Sequence, residues 1–245
     1  MRIFIVFQIL AKLFRWAVPG SVAKSDGEKV YDSAVRMQRQ GRLEEAVDRY
    51  TEALRLDPNL SQALSNRGTT YLSLGQPEKA VKDLDQAISI DPTLAVAYSS
   101  RGLAHTNLSN FSQAVTDLNE SLRLNPNFAD GFCSRGFAHR AAGRLNRALS
   151  DFDQAIRLDE KFSVAYNNRA DVHIEMKNPE LAITDLDQAI KLDPGFAVAF
   201  VNRAFAHTLL KDDANAGRDL DTAVKMGVDR TLMEDKIAEY KELAK

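Results

Sequence analysis

Along residues 27–230 the apolar side chains fall at three- and four-residue spacing, in two short stretches per 34 residues. That spacing gathers them on one face of an α-helix. The pattern therefore predicts pairs of amphipathic helices. The pairs close on a recurring sequence: LRLDPN (54–59), ISIDPT (88–93), LRLNPN (122–127), IRLDEK (156–161) and IKLDPG (190–195). Proline cannot continue a helix, so Pro58, Pro92, Pro126 and Pro194 end second helices. Pro77 and Pro179 fall where second helices should open, a position that tolerates proline because its missing N–H has no helical partner there. Asn178, just before Pro179, is a candidate N-cap.

With the closing proline set as position 32, six repeats run over 27–60, 61–94, 95–128, 129–162, 163–196 and 197–230. Position 20 is Ala46, Ala80, Ala114, Ala148, Ala182 and Ala216. Position 8 is small throughout: Ala34, Gly68, Gly102, Gly136, Ala170 and Ala204. Position 24 is large: Tyr50, Leu84, Leu118, Phe152, Leu186 and Leu220. Small residues let the two helices of a pair approach closely, and the large ones fill the space beside them. One such pair cannot bury its apolar faces alone, whereas stacked neighbours bury each other's. The stack then needs a polar end. Residues 231–245 supply one, with Met233, Ile237, Tyr240 and Ala244 on a single apolar stripe and charge opposite.

Repeats of this length with this pattern resemble the tetratricopeptide repeat family, over residues 27–230. The resemblance implies an all-α fold: a right-handed α-solenoid of six helical hairpins with a C-terminal capping helix. An amphipathic segment (1–18) and a short linker (19–26) precede it.

Two polar positions depart from the family pattern. Position 7, usually apolar, is Arg67, Arg101, Arg135, Arg169 and Arg203 in repeats 2–6, and position 23 of the same repeats is Asp83, Asp117, Asp151, Asp185 and Asp219. Repeat 1 has neither, carrying Ser33 and Arg49. Joint presence and joint absence predict a pair within each repeat: Arg67–Asp83, Arg101–Asp117, Arg135–Asp151, Arg169–Asp185 and Arg203–Asp219. All the histidines, His105, His139, His173 and His207, occupy position 11, where repeat 2 has Tyr71. Equivalent residues stand at least a helix spacing of about 8–10 Å apart, too far for a zinc ion with ligands at about 2 Å. They are expected to be satisfied core histidines, with acid sensitivity as a secondary expectation. In VAYNNRADVH (164–173) this leaves Asp171 as the candidate surface residue.

The family resemblance also implies a concave groove lined by the first helices. The residues it places there include Asn66, Leu103, Phe137, Arg140, Asn167, Asn168, Asp171, Val201, Asn202, Phe205 and Leu209. Asparagine amides can bond both groups of an extended peptide backbone. The lysines of a chaperone-tail clamp are missing, with Tyr31, Val35 and Val198 in parts of its place. The expected function is a non-enzymatic scaffold binding a protein or peptide. The alternatives are a helical-repeat RNA-binding protein or a regulatory module of an enzyme complex. No phosphate loop, nucleophile elbow or metal motif is present, so neither catalytic residues nor a cofactor is expected. A net charge of −2 argues against nucleic acid. The single cysteine, Cys133, permits no internal disulfide.

The head, MRIFIVFQILAKLFRWAVPG, differs from the body. Up to Lys24 the chain carries Arg2, Lys12, Arg15 and Lys24 and no acidic residue. It is too short and too charged to span a bilayer comfortably. An amphipathic helix lying in a membrane surface, a signal peptide cut after Ala23, and a helix docked on the first repeat or on a partner all fit. The chain is accordingly expected in the cytoplasm or at a membrane, or exported if the signal peptide is real.

Overall fold

The computed structural model describes residues 24–243, which form helices and no strand. The amphipathic segment 1–18 lies outside the described residues. The chain divides into two compact units, 1–142 and 143–245. The first contains α1 (Asp26–Arg39), α2 (Leu43–Leu56), α3 (Ser61–Ser73), α4 (Pro77–Ile90), α5 (Ala95–Asn107), α6 (Phe111–Leu124) and α7 (Ala129–Ala141). The second contains α8 (Leu145–Leu158), α9 (Ser163–Glu175), α10 (Pro179–Leu192), α11 (Ala197–Leu209), α12 (Asp213–Lys225) and α13 (Arg230–Leu243). Within the first unit α1–α2, α3–α4 and α5–α6 pack as hairpins 1 to 3, and within the second α9–α10 and α11–α12 pack as hairpins 5 and 6. The fourth repeat supplies α7 to one unit and α8 to the other.

Small residues set the spacing within a hairpin. A Cβ on Gly102 would stand 2.6 Å from Leu118 Cγ and 3.0 Å from the Ala114 carbonyl oxygen, so α5 rests directly on α6. Ala46, Ala80, Ala114, Ala182 and Ala216 are at most 3% exposed, and Tyr50, Leu84, Leu118 and Leu186 are fully buried. These alanines and their large partners form the core of each hairpin.

The connections repeat as strictly as the helices. Between hairpins, the side chains of Asp57, Asp91, Asn125, Asp159 and Asp193 each accept the backbone N–H two residues on, at 2.9–3.3 Å. A capped turn of this kind accommodates the proline that follows. Within hairpins, the residue after the first helix takes positive φ every time: Gly41, Gly75 and Gly143, but also Ser109, Lys177 and Lys211. At Gly75 the next N–H, of Gln76, reaches back to the Tyr71 carbonyl at 2.8 Å, a helix-ending bond that requires the left-handed residue.

Two expectations change. Asn178 does occupy the N-cap of α10, but its side chain makes no capping hydrogen bond, and Pro179 alone opens the helix. Side-chain caps form instead at Asp212 before α12, whose carboxylate accepts from the Asn215 N–H, and at Ser25, whose Oγ accepts from the Glu28 N–H while the Glu28 carboxylate accepts from the Ser25 N–H. Ser25 and Asp26 therefore begin α1 rather than ending a linker. At the other end, α13 covers hairpin 6. Met233, 2% exposed, joins Val201, Phe205, Leu220 and Ala223 in one cluster, with Ile237 packed against it. Tyr240 and Ala244, the other members of the expected stripe, lie outside the described side chains.

Candidate functional site

The recurring arginines are bound on both sides. Arg101 donates Nε–H and Nη2–H to the two oxygens of Asp117, at 2.8 and 2.6 Å. The same bidentate contact joins Arg67 to Asp83, Arg169 to Asp185 and Arg203 to Asp219. These are four of the five predicted pairs. Arg135 and Asp151 fall in different compact units, and their pairing stays an expectation. The carboxylate hydrogen bonds hold Arg67, Arg101, Arg169 and Arg203 above the ordinary guanidinium range.

Each guanidinium has a second partner that the sequence did not reveal. Its Nη1 reaches the preceding hairpin: Arg67 to Thr51, Arg101 to Asp85, Arg135 to Asn119, Arg169 to Asp153 and Arg203 to Asp187, at 2.6–3.0 Å. Four of the five also lie over a ring three residues back, Tyr98, Phe132, Tyr166 or Phe200, at 5.4–5.6 Å, a favourable cation–π placement. The acceptor was visible as an Asp, Asn or Thr recurring at position 25. Its role is not legible in the sequence, because one carboxylate already matches each arginine and the 34-residue period gives no distance between neighbouring hairpins. Arg230, at the start of α13, bonds Asp221 at the last of these acceptors.

An open cleft of about 360 Å³ in the first unit is lined by Val81, Asp85, Arg101, His105, Thr116 and Asp117, among others. Its floor is this same set of contacts. Arg101 donates to both Asp85 and Asp117, so those charged groups are committed to packing. Among the described residues no three His, Cys, Asp or Glu side chains are placed to hold a metal ion.

His105, His173 and His207 are not the satisfied core residues expected. His105 and His173 hold Nε2 3.9 Å from Asp117 and Asp185, beyond hydrogen-bond range. Their Nδ1 atoms, and that of His207, are buried without a hydrogen-bond partner. Burial pulls His173 below the ordinary imidazole value.

On the opposite side of the first helices runs a neutral seam. Asn66 donates to the Tyr31 hydroxyl at 2.9 Å, Thr69 meets Ser100 at 3.1 Å and Ser99 meets Ser134 at 3.5 Å. In the second unit Asn202 donates to Asn167 at 3.0 Å, and Asn167 lies 3.5 Å from the Asn168 oxygen. In hairpin 1 the buried Tyr50 hydroxyl donates to Gln38 at 2.5 Å, and burial raises its ionisation range.

The residues expected in the groove consequently divide. Asn167, Asn168 and Leu103 have no exposed surface, and Asn202 and Asp171 are 4% and 8% exposed. Asp171 is thus not the surface residue its sequence position suggested. Val201 and Phe205 sit in the core under α13, because α13 packs on the apolar face of hairpin 6 and covers them. Asn66, Phe137, Arg140 and Leu209 retain partial exposure.

Comparison with known proteins adds the relationship. A family model described as "Tetratricopeptide repeat" matches residues 61–94 and 163–196, a second, "TPR repeat", matches 39–75, and a third, also "Tetratricopeptide repeat", matches 100–161. Together they take in more than half of the chain. No curated protein matches. Among solved structures, a tetratricopeptide repeat protein from Parabacteroides merdae superimposes with a TM-score of 0.71 at 24% identity, over 89% of this chain and 84% of that one. The APC/C hetero-tetramer Cut9–Hcn1 gives a TM-score of 0.80 at 15% identity, over 98% of this chain and 46% of that one. This chain thus spans under half of that protein's length. YrrB, described as a TPR protein with an unusual peptide-binding site, gives 0.53 at 21% identity, over 76% of this chain and 96% of that one. At such identities the likeness is one of fold, and the family models carry the relationship. Repeated helical hairpins and three matching models make the chain a member of the tetratricopeptide repeat family, a protein–protein interaction scaffold.

Proposed function

We propose that the chain acts without catalysis and holds an extended peptide of a partner protein on its first helices. The observation that supports this is the commitment of the repeated Arg and Asp residues. In four of the five nodes, those of Arg67, Arg101, Arg169 and Arg203, the guanidinium is bound on both sides, which leaves recognition to side chains between the nodes. In the first unit these are Asn66, Phe137 and Arg140, and in the second Leu209. The buried residues Leu103, Asn167, Asn168, Asp171, Val201, Asn202 and Phe205 shape the surface from beneath. The peptide-binding site in YrrB's description supports the same mode. Selecting peptides from a displayed random library on the whole chain tests it. Selected peptides should lose at least tenfold in affinity for a Phe137→Glu/Arg140→Glu variant, and unchanged affinity would refute the site. Phe205→Glu is not a usable probe, since it would place a charge in the core beside Met233.

A second proposal concerns residues 1–18, which we infer attach the scaffold to an anionic membrane surface. The head is cationic and apolar, with no acidic residue up to Lys24. The outward side of α1 is polar, with Lys29, Arg36 and Gln40 exposed, and α1 starts from its own reciprocal cap. Flotation of the whole chain with phosphatidylserine vesicles should be lost on deleting residues 1–20 and weakened by salt. Equal flotation of both forms would end the idea.

A further inference from the structure

The scaffold role uses none of the histidines, and two of them differ within one compact unit. His173 lies on α9 and His207 at the same repeat position on α11. The charged groups facing His173 are Asp185 from α10, Asp153 from α8 and Arg169 from its own helix. Asp185 stands 3.9 Å from Nε2, but both its oxygens already accept from Arg169. Nothing bonds Nδ1, which is buried. An imidazolium here would expose one N–H to a carboxylate already shared with a guanidinium and leave the other facing no acceptor.

His207 meets different surroundings. Its Nε2 lies 4.0 Å from Asp219, again held by Arg203, yet its Nδ1 lies 3.7 Å from the Asp212 carboxylate at the N-cap of α12. Small movements would give the charged ring a carboxylate on each side. Hairpin 5 has Asn178 where hairpin 6 has Asp212, so the contrast rests on one substitution in the repeat.

We propose that His173 is an acid-sensitive latch: taking up a proton below neutral pH, it loosens α9 against α10, while hairpin 6 stays closed because Asp212 receives the charge on His207. Opening α9 would release the seam in which Asn202 donates to Asn167 and Asn167 to Asn168, and with it, on the peptide-binding reading, the surface that a partner contacts. Burial is the main cause that disfavours the charged ring, Arg169 adds to it, and Asp185 and Asp153 oppose it. In the unfolded chain the imidazole takes its proton near 6.5. Hairpin 5 therefore keeps its full stability above that value and loses it as pH falls through the lower folded value.

Hydrogen exchange of the whole chain, followed by mass spectrometry at about pH 7.5 and 5.5 and corrected for intrinsic rates, tests the latch. Opening of α9 should rise about three- to tenfold in acid, and that of α11 less. His173→Tyr should abolish the rise, and His207→Tyr should leave it in place. Tyrosine fits the lattice, since hairpin 2 carries Tyr71 at this position. A rise that survives in His173→Tyr, or none in the parent chain, overturns the proposal. Should His173→Tyr fail to fold, titration of the His173 ring protons by NMR decides: a midpoint below 6.5 supports the latch and one at or above it refutes it.

Discussion

Charged contacts run along one side of the first helices and neutral ones along the other, and the two seams are buried to different depths. On the outer side the guanidiniums keep 17–22% of their side-chain surface in water. On the inner side Asn167 and Asn168 keep none and Asn202 keeps 4%. The difference follows from desolvation. Drying an ion costs more than one carboxylate returns unless every N–H is satisfied, so the arginines keep a solvated edge and take partners from two hairpins. An amide or hydroxyl is far cheaper to dry once bonded, so the inner side closes. Each seam also fixes the register of the hairpins that it joins, because a slip of one residue would break the bonds that cross between them.

Breaking the outer seam should have the largest effect. Arg203→Met leaves the Asp219 carboxylate, 6% exposed, without its counter-ion and should cost about 3–5 kcal/mol. Adding Asp219→Leu should recover most of this, and urea midpoints of the single and double variants measure the recovery. If the double variant is no more stable than the single one, the outer seam is not an ion-pair seam in energetic terms.

The inner seam should give a smaller loss of the same form. Asn202→Val strands the buried Asn167 oxygen and should cost about 1–3 kcal/mol. Asn167→Val/Asn202→Val should return close to the parent, because two apolar groups replace both partners at once. The inner losses should not change with salt, which screens only the solvated seam. A strong salt dependence at Asn202 would erase the distinction between the seams.

The smallest effect should come from an outer node whose second acceptor carries no charge. Arg67 reaches the Thr51 hydroxyl at 3.0 Å, as Arg135 reaches the Asn119 amide oxygen, where Arg101 reaches the Asp85 carboxylate. Thr51→Asp should stabilise the first unit by less than about 1 kcal/mol, with the gain shrinking as salt is added. Thermal unfolding at two ionic strengths would show it, and a destabilised Thr51→Asp would mean that the hydroxyl's own bond to the Val47 carbonyl, at 2.8 Å, matters more than charge.

Repetition made much of this molecule legible in its sequence. A 34-residue period in Ala46 through Ala216, with small residues at Gly68 and Gly102, states where two helices must touch. The joint presence of arginine and aspartate in five repeats singled out Arg67–Asp83, Arg101–Asp117, Arg169–Asp185 and Arg203–Asp219 before any coordinates. The binding surface was far less legible. Asn167, Asn202, Val201 and Phe205 were placed in the groove by family geometry, and family geometry does not say how tightly neighbouring first helices close or what an end helix covers.

The sequence by itself determined the helices, their pairing within hairpins and the carboxylate partners of Arg67, Arg101, Arg169 and Arg203, because all of these depend on contacts between residues at fixed separations along the chain. Only the tertiary structure decided the second partner of each arginine, the burial of the asparagines, and the different surroundings of His173 and His207. Those depend on how one hairpin lies against the next, where distances of a few tenths of an ångström separate a hydrogen bond from a bare contact, and periodicity carries no information at that scale.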